Sequence, residues 1–97
     1  MNYQYNVSFK RAAGAELSGE CNVVKSSKTM MTIIMKSEDG YVRRVDVTKK
    51  SNGTWEGAGL KIKEVEVIKT PGGFEGSMVH LTDVGEILED FFVSKKS

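Results

Sequence analysis

The 97-residue chain has the length of one domain and can bury a single core without a metal or disulfide staple. A hydrophobic share of 39%, ten glycines and one proline point to a turn-rich globular fold, and a net charge of +1 gives no global field favouring nucleic acid. Cys21 stands alone, which excludes an intramolecular disulfide; no basic-then-apolar leader is evident, and the longest apolar run, Met30 to Met35, falls far short of the roughly 20 residues of a spanning helix, so the expectation is a cytoplasmic protein without a membrane segment.

Tyr3, Tyr5, Val7 and Phe9 alternate with Gln4, Asn6 and Ser8, which predicts a strand over about residues 2–9. Lys10 to Leu17 is small and mixed and reads as a loop or one loose helical turn. Strands are expected at about 18–24 and 29–36, joined by the polar turn Lys25-Ser26-Ser27-Lys28. Within the second of these, Met30 to Met35 is apolar on both parities, the mark of a central strand covered on both faces. Glu38-Asp39-Gly40 then turns the chain into a strand at about 41–48, and Asn52-Gly53 signals a type I′ turn into a strand at about 54–57 and 60–69. Leu60 and Ile62 share one parity, whereas Val65 and Val67 share the other, so a bulge or bend is expected near Lys63-Glu64. Pro71-Gly72-Gly73 leads into a glycine-weakened strand at about 74–81.

The period then changes. Val84, Ile87, Leu88, Phe91 and Phe92 follow helical spacing, Asp83 and Glu86 fit a capping box, and Lys95 and Lys96 suit the opposite helix end. The reading is therefore α+β, mainly β: a single antiparallel meander sheet or small, partly open barrel of five to seven strands, packed by one C-terminal amphipathic helix over about 84–95, all within one domain over 1–97.

Little here suggests catalysis. His80 and Cys21 would have to meet to form a nucleophilic dyad, and a zinc site would need carboxylates for most of its ligands. Glu64 and Glu66 share a strand face but stand among Lys61, Lys63 and Lys69, which reads as a solvated surface. Gly57-x-Gly59 and Gly72-Gly73-Phe74-Glu75-Gly76 lead into strands rather than a helix N-terminus, so neither is a phosphate loop. No catalytic residue, metal or cofactor is expected. Residues 1–50 carry nine Lys/Arg against five Asp/Glu and residues 51–97 five against eight, an imbalance expected to pair across the fold.

The candidate contact surface is basic and aromatic: Tyr41, Arg43, Arg44, Lys49, Lys50 and Trp55. The Asn-Gly turn draws Lys49, Lys50 and Trp55 together. Arg43 and Arg44 point to opposite faces of one strand, and one of them is placed under the helix in an ion pair with Glu or Asp. The expected function is a non-enzymatic binding module that occupies a protein partner through open strand edges or this surface, as an inhibitor, adaptor or assembly subunit of the phage or mobile-element kind, with homodimerisation as one form. The alternative is RNA or single-stranded DNA binding, with bases stacked on the aromatics and phosphates on the cations.

Overall fold

Alternation governs every strand of the described residues, the last included. The computed structural model describes residues 3–96, so the start of the first expected strand at Asn2 lies outside the described residues. Eight strands follow one another: β1 (Tyr5–Arg11), β2 (Glu16–Lys25), β3 (Met30–Ser37), β4 (Val42–Lys49), β5 (Trp55–Gly59), β6 (Ile62–Thr70), β7 (Gly73–Thr82) and β8 (Gly85–Lys95). Each pairs antiparallel with the next, and β8 returns to β1 to close an up-and-down barrel.

Closure overturns the expected α+β class, the open sheet of five to seven strands and the helix over 84–95. The helical reading placed Val84, Leu88 and Phe92 inside, but they are 91%, 56% and 45% exposed. Ile87, Glu89, Phe91 and Val93 face inward instead, at the spacing of a strand. The alternation was hidden because β8 is apolar on both parities and one of its inward residues is a buried glutamate. Asp83 does not cap a helix: Thr82 Oγ1 donates to the Gly85 carbonyl at 2.7 Å across a two-residue turn, with Gly85 at φ 122°. Pairing β8 with β1 also satisfies a backbone edge that a helix would leave open.

Three further readings change. β3 is not covered on both faces, since Met31, Ile33 and Met35 fill the barrel while Met30 is half exposed outside. Leu60 is 85% exposed and, with Lys61 at φ 58°, makes a turn that separates β5 from β6. The Asn52-Gly53 turn is not type I′, because only Gly53 (φ 91°) has positive φ: Gly53 N–H donates to Lys50 O at 3.0 Å and Lys50 N–H to Thr54 O at 2.7 Å, a three-residue loop with a glycine bulge. The expected irregularity near Lys63-Glu64 is present as a register shift between Ile62 and Glu64 against β7, which returns both Ile62 and Val65 to the interior.

Val7, Phe9, Cys21, Met31, Ile33, Met35, Val45, Val47, Trp55, Ile62, Val65, Val67, Phe74, Met78, Phe91 and Val93 form the core, every strand contributing. The even-numbered hairpin turns gather at one end of the barrel with both ends of the described chain; we call this the lower end. The turns after β1, β3, β5 and β7 lie at the upper end. Among the described residues no helix is long and apolar enough to cross a membrane.

Candidate functional site

The six candidate residues do not form one surface. Tyr41 is exposed over the upper end, Arg44 points outward from β4, and Arg43 is 1% exposed inside the barrel. Lys49 lies directly across from Trp55 at the lower end, with Lys50 in the adjoining loop, as the turn implied. Trp55 is only 5% exposed, so its ring faces inward rather than offering a stacking platform.

Under the upper end, Arg43 meets the glutamate that was expected on the helix. Its Nε donates to Glu89 Oε1 at 2.7 Å and its Nη2 to Oε2 at 3.0 Å, a bidentate pair, while Nη1 donates to Ser37 Oγ at 3.0 Å. The guanidinium carbon lies 4.0 Å from the Phe9 ring centroid and 4.9 Å from that of Tyr41. Glu89 also accepts from Arg11 Nε at 2.9 Å and from His80 Nε2 at 2.8 Å. Burial pushes its carboxyl upward, but the bonds from His80 and Arg43, the Arg43 charge and the bond from Arg11 outweigh that and hold it at about 2. Ser37 in turn donates to Asp39, whose carboxyl this bond and the Tyr41 N–H hold below its usual range.

Among the described residues no buried side-chain nitrogen or oxygen lacks a partner, those of this cluster included. His80 is committed to Glu89 rather than to Cys21, and burial drives the fully enclosed Cys21 thiol up to about 12. The cluster is a closed internal tie between β1, β3, β4, β7 and β8.

The lower end is built on a different plan. The inward register of each even-numbered strand ends in apolar, apolar, lysine: Cys21-Val23-Lys25 in β2, Val45-Val47-Lys49 in β4, Val65-Val67-Lys69 in β6 and Phe91-Val93-Lys95 in β8. The odd-numbered strands bring Tyr5, Met31, Trp55 and Phe74 to the same depth. A cleft of about 260 Å³ opens here, with Lys25, Lys69 and Lys95 on its wall. The Tyr5 and Phe74 rings lie 5.6 Å apart, tilted by 60°, along one side.

Charge is concentrated around this opening. Lys28 and Lys50 in the adjoining loops and Lys96 after β8 join the four inward lysines, and segments 25–30, 49–54, 69–73 and 95–96 contain no Asp or Glu. Among the described residues Lys96 pairs with Glu20, whereas none of the four inward lysines is in an ion pair. Glu56, Glu64, Glu66, Glu75, Glu86 and Asp90 lie on the outer wall of β5 to β8, where Glu56 and Glu66 stand directly opposite each other. The opening draws Lys25, Lys28, Lys49 and Lys50 from the first half of the chain and Lys69, Lys95 and Lys96 from the second, so closure rather than the imbalance between the halves assembles it.

Sequence reasoning took Lys49, Lys50 and Trp55 from this site but missed Lys25, Lys69, Lys95, Tyr5, Met31 and Phe74. The repeated apolar-x-apolar-x-Lys ending was the available signal; it becomes meaningful only once closure brings the four endings around one opening. Comparison with known protein families, with curated proteins and with solved structures returned no match, so the role of this opening is argued from its own residues.

Proposed function

We propose that the chain is a non-enzymatic binding module that holds an anionic partner at the lysine-crowned end of its barrel. The observation that supports it is the convergence of Lys25, Lys49, Lys69 and Lys95 in one inward register, with no carboxylate among the described residues paired to them. Like charges held at one rim repel, and a bound anion relieves that repulsion. Closure removes the open strand edges through which another chain adds a strand, so recruitment falls to surfaces of this kind. The lone, enclosed Cys21 suits a working place in the cytoplasm.

A nucleic-acid partner is a narrower version of the same proposal, supported by Lys49, Lys50 and Lys28 around the opening. The inward-facing Trp55 makes phosphates, rather than stacked bases, the contact. The test is retention on a heparin column and its dependence on salt. Replacing the four inward lysines by glutamine should abolish retention at about 0.1 M salt and flatten the salt dependence. Equal retention of the quadruple variant, with its Trp55 emission unchanged, would rule the site out.

A further inference from the structure

We infer that the cleft inside the lysine crown takes a small amphipathic anion, its acidic head among Lys25, Lys69 and Lys95 and its apolar body lowered between Tyr5, Met31, Trp55 and Phe74. The inference rests on the reading of this end as an anion site and names its occupant.

The cleft is layered in the order such a molecule requires. Met31, Trp55 and Phe74 are 5%, 5% and 7% exposed, so they line the depth rather than the rim. The three lysines lie directly across from Met31, Phe74 and Tyr5, and their side chains are exposed where Met31 and Phe74 are buried. Lysine stems extend an apolar wall while their ammonium groups stay in water, so the wall passes from aromatic to aliphatic to charged along the entry path. An inorganic ion would use only the rim. A neutral apolar compound would use only the depth, and a cationic amphiphile would meet repulsion at the entrance.

Size narrows the class further. At roughly 30 Å³ for each water-sized group, the cleft of about 260 Å³ holds on the order of nine non-hydrogen atoms. That corresponds to a medium-length alkyl chain or a substituted aromatic ring, carrying a carboxylate, sulfonate or phosphate monoester. A macromolecule does not satisfy the depth: neither a phosphate backbone nor a folded protein surface reaches the recessed indole, whereas a slender chain does. Burial of such a body is what distinguishes this occupant from a generic polyanion.

Octanoate is the probe, and Trp55, the only tryptophan of the chain, reports on it. Octanoate should shift Trp55 emission saturably and bind at least tenfold more tightly than octylamine or octanol; acetate should leave the emission unchanged. Val23, partly buried on the cleft wall, gives the discriminating variant: Val23→Phe fills the depth and leaves every lysine in place. It should weaken octanoate at least tenfold while heparin retention stays within twofold. The exposed pair Lys69→Gln/Lys95→Gln should weaken octanoate about tenfold without touching the core. Octanoate binding no better than octylamine, or unaffected by Val23→Phe, overturns the occupant. If heparin retention still depends on the four lysines, the anion site itself stands; if neither probe binds, both fall together.

Discussion

Replacing Glu89 by glutamine tests the internal tie at its centre. The substitution keeps the size of the side chain and removes the charge that faces Arg43, which is 1% exposed. The Glu89 carboxyl sits at about 2 against its ordinary 4.5, a difference that at about 1.4 kcal/mol per unit corresponds to about 3 kcal/mol. Removing one partner of a buried ion pair independently costs about 3–5 kcal/mol, because the other charge is left uncompensated. The two arguments converge on about 3–4 kcal/mol, a large share of the roughly 5–15 kcal/mol that holds a domain folded. Because the folded carboxyl is depressed, its stabilisation is complete above about pH 4.5 and is lost as pH falls from there toward 2. Urea unfolding followed by Trp55 fluorescence, on both proteins from about pH 7 to about pH 3, should show a gap of about 3–4 kcal/mol that narrows with acid. A cost under about 1 kcal/mol at neutral pH, or a gap that does not narrow, would refute the reasoning.

Other parts of the barrel give further expectations. A Cβ at Gly57 would run into the Asp46 carbonyl, whereas one at Gly72 meets open space; urea unfolding should therefore show Gly57→Ala losing about 3 kcal/mol and Gly72→Ala unchanged or slightly stabilised. Glu66→Lys replaces the like-charge pair with Glu56 by an attractive one and should raise the urea midpoint, by about 0.2–1 kcal/mol in stability; a lowered midpoint counts against the facing of these two carboxylates. Cys21, with its thiol raised to about 12 and wholly enclosed, should resist thiol reagents at about pH 8 until the chain is unfolded in urea.

The antiparallel strands were legible wherever one parity was apolar, as in Tyr5-Val7-Phe9, and wherever a glycine marked a turn. What escaped was decided by contacts far apart in sequence. β8 alternates only when Glu89 is granted an inward position, and nothing local shows that Arg43, on a strand nearly half the chain away, makes that position tenable. The arginine pair was read correctly as facing opposite sides, and the partner carboxylate was expected, but the element carrying it was misassigned. Leu60 was counted with Ile62 because the break was placed at Gly57-Ala58-Gly59, whereas β5 runs through those glycines and the chain turns just after them, at Leu60-Lys61. The lysine opening was invisible for a related reason: four endings, each an ordinary strand terminus, acquire a common meaning only through closure.

Closure has a consequence for how the chain is made. Tyr5 pairs with Lys95 and Arg11 with Glu89, so the first strand finds its outer neighbour only in the last one. During synthesis β1 through β7 leave the ribosome with two unsatisfied edges, and the side chains that fill the barrel have no complete enclosure until β8 emerges. A nascent chain stalled before Gly85 presents β1 and β7 as ready templates for a neighbour in the same state. Closure of the barrel thus hinges on β8, and until it is in place the chain is most exposed to premature association.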